Sequence, residues 1–230
     1  MSRKPLKKSD RCRPWRSGER RSARAMRVRM TRHLVVCEGT RTEPRYFNGL
    51  KAALGEVDGQ KVEVKVIGSG MHTTDLLELA QEWCRKSADT FDHVWIVYDK
   101  DYFPADEFDL VEKKCRTVQG PSTFHALWSN PCFEVWLLLH FGYTTAEMNP
   151  AECSRALNDA FERNLGCEHA KSLEGVFGVL GVRRADAIEN ADRLGEHHLS
   201  IGNTLPSSQN PGTKVGDIFD EVGPYLEGDK

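Results

Sequence analysis

The sequence has no apolar run approaching the roughly 20 residues that a membrane-spanning helix requires. Its longest runs, such as residues 135–139, are far shorter, and no membrane span is expected. No apolar segment of the signal type opens the chain. The seven cysteines are odd in number, irregularly spaced and free of any Cys-x-x-Cys pair, which argues against a disulfide framework or a thiolate metal site. A soluble protein with reduced thiols in a cytoplasm is the expectation. There is no Gly-x-x-x-x-Gly-Lys-Ser/Thr phosphate loop, so any work done with ATP falls to a partner. No internal repeat is visible. What the chain does have is length: 230 residues with 39% hydrophobic content supply one substantial core, as one domain or one domain with a helical extension.

Charge is distributed unevenly. Residues 1–32 carry 13 Lys and Arg against two acids, Asp10 and Glu19, while the rest of the chain carries 19 bases and 32 acids. A basic arm therefore precedes an acidic body. The arm has too few apolar residues to fold alone and is expected to be disordered in isolation. Arg20, Arg21, Arg24 and Arg27 within it can neutralise nucleic-acid phosphates without reading sequence. A solvated tail is the alternative.

Beyond the arm, strands and helices alternate. Residues 33–37 form a short, β-branched apolar run that ends at Glu38-Gly39 and predicts a buried strand. Thr42-Glu43-Pro44 then opens a helix whose Tyr46, Phe47, Leu50 and Leu54 share a face. Residues 62–67 alternate as a half-buried strand, and Gly68-Ser69-Gly70 turns the chain into a helix carrying Leu76, Leu77, Ala80 and Trp83. Residues 93–98 are almost continuously apolar, as expected of a strand covered on both sides, and run into Asp99-Lys100-Asp101. A helix over 105–118 and a strand over 123–128 complete the pattern. The fold class predicted is α/β, with a mostly parallel sheet of about four strands over residues 33–130. Residues 131–230 read as a mainly helical extension packed on that core, with helices over 132–141, 150–164, 173–180, 184–198 and 215–226 and a loop over 202–212.

Catalytic and ligand-binding residues of parallel sheets sit beyond the carboxyl ends of the strands. Glu38 ends the first strand there, and Asp99 and Asp101 end the third. Carboxylates gathered at one edge repel unless a cation lies between them, and an all-oxygen set suits Mg²⁺ or Mn²⁺. Acids are also common in loops after strands, so Asp-x-Asp alone is weak evidence. Glu43 reads first as a helix-start acid favoured by the macrodipole. Lys100 offers a phosphate contact. Cys37 and Cys132 read as small buried residues rather than thiolate nucleophiles.

Four ordered blocks carry a family likeness. Residues 36–47 (VCEGTRTEPRYF), 97–103 (VYDKDYF), 129–141 (SNPCFEVWLLLHF) and 210–215 (NPGTKV) resemble the RloB (AbiL-type) phage-defence family. The likeness spans roughly residues 34–226 and leaves the arm outside. It implies a Toprim-like domain in which Glu38, Asp99 and Asp101 support Mg²⁺-dependent phosphodiester chemistry on RNA or DNA. It also sets Glu134 beside those acids, as an added ligand or water-orienting base rather than only a helix-start acid. His140 is expected to be a packed core residue. An AAA-type ATPase of the RloA type is the implied partner. The competing expectation is a Mg²⁺-dependent nucleotide- or phosphate-binding module that signals without cutting, and a third is an adaptor with a basic arm.

Overall fold

The computed structural model describes residues 29–71, 73–167 and 175–226. Among them β1 (Arg29–Cys37) leads into α1 (Thr42–Ala53), then β2 (Glu56–Val57), β3 (Gln60–Gly68) and α2 (Thr73–Lys86). β4 (His93–Asp99), α3 (Ala105–Thr117) and β5 (Thr123–Asn130) follow. Then come α4 (Glu134–Leu139), α5 (Pro150–Leu165), α6 (Val176–Leu180), α7 (Arg184–Ser200), β6 (Gly212–Thr213) and α8 (Phe219–Val222). The sheet order is β2-β3-β1-β4-β5-β6. The four strands foreseen form its parallel centre. β2 and β6 are antiparallel edges of two residues each, so the sheet has six strands rather than about four. Elements this short carry no periodicity of their own; tertiary hydrogen bonds define them.

The α/β class is as the alternating pattern implied. Val35, Cys37, Trp95, Val97 and Leu127 point to one face, where they meet α1 and the helices after β5. Leu34, Val36, Ile96, Tyr98 and Trp128 point to the other and meet α2 and α3. Two covered faces explain the unbroken apolar runs of β1 and β4. Each fully buried large side chain contributes roughly 1.5–3 kcal/mol. One cluster joins the sheet to α4, α5, α6 and α7, so the helical C-terminal part closes the sheet's first face.

Three expectations need correction. Residues 29–32, assigned to the arm, belong to β1: Arg29 N–H donates to Gly59 O at 2.9 Å and Arg32 N–H to Asp92 Oδ2 at 2.8 Å. Backbone partners on β3 outweigh the local charge. Residues 215–226 are not one helix. They divide into a 3-10 turn (Val215–Ile218), the four-residue α8 and a second 3-10 turn (Gly223–Tyr225), because Gly223-Pro224 cannot continue an α-helix. The third is β6, a strand in a region that showed no strand pattern.

The chain crosses from β1 to β3 on one side, and β4 then adds on the other. Strand order therefore reverses between β1 and β4, the place where open α/β sheets leave a crevice at their carboxyl edge. No helix among the described residues is long and apolar enough to cross a membrane.

Candidate functional site

Glu38 lies one residue past β1 and continues its pairing: its N–H donates to Val97 O at 2.9 Å, and its carbonyl accepts from Gly70 N–H at 2.9 Å. Held from both sides, it reaches across the reversal point, where Glu38 Oε2 accepts from the Asp99 N–H at 3.3 Å. Asp99 closes β4 in register with Ser129. The next two residues are pinned to β5 and beyond, Lys100 N–H to Ser129 O at 2.8 Å and Asp101 N–H to Pro131 O at 2.7 Å. Asp101 takes a left-handed φ of 34°, a conformation Asp tolerates better than most residues, and so turns outward while Asp99 turns in. Glu134 opens α4 just after the cis Asn130-Pro131 peptide and is only 7% exposed.

Glu43 joins them. It sits in the first turn of α1, as expected of a helix-start acid, and its carboxylate accepts from its own backbone N–H and that of Gly39. Yet it is 7% exposed and lies within electrostatic reach of Glu38 and Glu134. A Cβ at Gly39 would meet the Glu43 carboxylate and shift it from this position. Sequence reasoning placed Glu43 correctly but missed its membership of the cluster. The Gly four residues before a helix-start acid is the signal available to find it.

Five acids thus share the carboxyl edge. Burial raises the Asp99 carboxyl well above its ordinary range, and the neighbouring Glu43, Asp101 and Glu134 carboxylates raise it further against a compensating Phe133 N–H bond. Glu43 is raised by burial and by Glu134 and Glu38, against its two backbone donors. Asp99 Oδ1 is closed to solvent and makes no hydrogen bond. A buried carboxylate oxygen without a donor is costly, and a hard cation is the partner that removes the cost. The all-oxygen donor set fits Mg²⁺ or Mn²⁺ in kind. In the geometry itself, no three His, Cys, Asp or Glu side chains among the described residues are gathered closely enough to be a ready-made cation site. Glu38, Asp99 and Asp101 would hold the ion, with Glu43 and Glu134 at hand.

The nearby thiols stay neutral. Burial first, then the Glu43 and Asp99 carboxylates, push the Cys37 thiol up; a bond with the Cys153 thiol, burial and Glu134 do the same to Cys132. Neither suits a nucleophile, as expected. His140 is a core residue, 2% exposed and bonded through Nδ1 to Trp136 O at 3.0 Å. The Lys100 ammonium donates to Phe103 O, which closes the turn, and Lys100 also lines a cavity of about 600 Å³ beside Asp101. Arg20, Arg21, Arg24 and Arg27 lie outside the described residues.

The last sequence block supports the site from behind. β6 pairs with Ser129 and Asn130, Lys214 N–H donates to Trp128 O at 2.9 Å, and Ser129 Oγ meets Thr213 Oγ1 at 3.1 Å. Residues 129–131, on which Lys100 and Asp101 hang, are thereby braced from both sides.

Fold and site together define a class: an α/β protein whose mostly parallel sheet gathers carboxylates at its strand-order reversal. A family model described as RloB-like protein matches residues 33–222, and the chain belongs to that family, as the four blocks implied. No curated protein and no solved structure matches the chain.

Proposed function

We propose that this RloB-like protein is a divalent-cation-dependent nuclease with a Toprim-like centre, acting in anti-phage abortive infection under the control of an AAA-type ATPase of the RloA type. The observation that carries the reading is Asp99 Oδ1, buried without a donor among four further carboxylates at the crevice of the sheet. Glu38, Asp99 and Asp101 would hold the cation. When bound, a Mg²⁺ ion supplies charge for a scissile phosphate and lowers the pKa of an attacking water. Glu134, at the start of α4 beside these acids, orients that water or accepts its proton. Glu43, anchored on the Gly39 N–H, adds negative charge that holds the cation without needing to move. The acidic body repels a polyanion, so the arm, with Arg20, Arg21, Arg24 and Arg27, supplies the attraction.

The test is cleavage of a panel of tRNA, single-stranded RNA and plasmid with Mg²⁺ or Mn²⁺, comparing wild type with Glu38→Gln, alone and with the ATPase. Cleavage that the variant loses supports the reading. No cleavage under any condition, with cation binding retained, replaces it with a Mg²⁺-dependent binding module that signals to its partner.

A further inference from the structure

The cavity beside Asp101 has walls that, Asp101 apart, the chemistry above does not use. Its walls come from segments far apart in sequence: Lys100, Asp101 and Tyr102 from the turn after β4, Glu147 and Glu152 around the start of α5, and Ser207 before β6. Its volume of about 600 Å³ is in the range of sites that take small organic groups, about 300–1,000 Å³. Three acids, Asp101, Glu147 and Glu152, line it with one lysine, and Glu152 Oε2 is already tied to the Asn149 N–H at 2.9 Å. That balance repels a second phosphate and favours an uncharged group with hydrogen-bond donors.

Tyr102 lines the same cavity with 88% of its surface exposed. The turn that carries Tyr102 is fixed at the backbone: Phe103 N–H donates to Lys100 O at 2.8 Å, the Lys100 ammonium to Phe103 O, and the Asp101 N–H to Pro131 O at 2.7 Å. An exposed aromatic ring on a fixed turn, beside an acidic, acceptor-rich cavity and one residue from the carboxylate cluster, suits a flat ring with N–H donors. We infer that the cavity receives one unpaired nucleobase of the strand whose phosphate lies at the acidic centre, stacked on Tyr102. A paired base cannot enter, because both its faces and its donor edge are occupied. The inference rests on the nucleic-acid reading of the centre and narrows its substrate to single-stranded or extruded nucleotides.

The test measures equilibrium binding of a short labelled single-stranded oligonucleotide, as RNA and as DNA, to the full chain with Ca²⁺ replacing Mg²⁺. An abasic position is moved along the strand, and wild type is compared with Tyr102→Ala and Tyr102→Phe. Tyr102→Ala is expected to weaken binding about 5- to 100-fold, the worth of one base–aromatic stack, and Tyr102→Phe to restore it. At one strand position, and only there, the abasic strand loses the same factor with wild type and nothing further with Tyr102→Ala. Undiminished binding by Tyr102→Ala overturns the inference. So do a loss insensitive to abasic position, an equal Tyr102 effect on duplex, and no binding of any single strand by wild type. Coupled binding without cleavage in any assay leaves the base site standing and removes the nuclease reading. Cleavage without the coupling does the reverse.

Discussion

At the amino edge of the sheet, His33, His93, Trp95 and His125 stack across β1, β4 and β5, with ring centroids 4.7 Å apart for His33 and His93 and 4.0 Å for Trp95 and His125. The Trp95 indole donates to His33 Nδ1 at 3.1 Å, and His93 Nδ1 is hydrogen-bonded to His125 Nε2 at 3.1 Å. At the carboxyl edge of the same strands, five carboxylates crowd together and a buried oxygen goes without a donor. Both edges bury titratable groups. At the first, the rings satisfy one another by stacking and hydrogen bonding, which is what stability requires. At the second, burial and neighbouring carboxylates raise Asp99 and Glu43, an arrangement that costs stability until something positive arrives.

The largest expected effect separates the edges by activity. Asp99→Asn with Asp101→Asn should reduce cation-dependent cleavage about a thousandfold or more, the several kcal/mol that a bound cation contributes. His125→Gln at the other edge should leave the rate per folded molecule unchanged. Equal losses at both edges would end the contrast.

Next in size is the response to acid, where the edges have opposite signs. Burial, then the charge of His93, lowers His33 to about 4, and the same two causes lower His125 to about 4. Their unfolded forms protonate near 6.5, so the stability they confer is complete above that pH and is lost as pH falls toward 4. Asp99 and Glu43, raised in the folded state, do the reverse: falling pH neutralises them in the native protein first and relieves their repulsion. His33→Gln keeps an acceptor for Trp95 and removes one titration. Urea unfolding from pH 6.5 to 4 should show wild type losing up to about 3 kcal/mol more than this variant. Parallel curves would show that His33 is not held neutral.

His33→Leu strands the Trp95 N–H in the core and should cost about 1–3 kcal/mol at pH 7, more than His33→Gln in the same urea titration. Asp99→Asn should move the other way, stabilising the cation-free protein at pH 7 by on the order of 1 kcal/mol. Millimolar Mg²⁺ should raise the wild-type melting temperature but not that of the Asp99→Asn, Asp101→Asn pair. Smallest for the fold, removal of residues 1–28 should leave the melting temperature unchanged. It should flatten the salt dependence of nucleic-acid affinity. A deletion reaching residue 32 would instead remove the first four residues of β1.

Much of this was legible without coordinates, and for identifiable reasons. The runs at 33–37 and 93–98 announce strands buried on both faces because such strands need apolar residues at every position. Glu38, Asp99 and Asp101 follow from them, since a residue just past a parallel strand lies at its carboxyl edge. The four blocks pointed to the family for the same reason: each is a local string whose spacing survives in one dimension.

What the string does not hold is distance between remote parts. β6 exists because Thr213 meets Ser129, 84 residues away, and the loop before it is placed by Asp109, which accepts from the Ser207 N–H and hydroxyl at 2.8 and 2.7 Å across 98 residues. The cavity under Tyr102 depends on that loop. Glu43 joins the acids only once α1 packs and Gly39 makes room for its carboxylate. The sequence by itself determined the strand order of chemistry, which acids end which strands. Tertiary packing decided which of them lose water, because desolvation and like-charge repulsion depend on separations in space that no local pattern encodes.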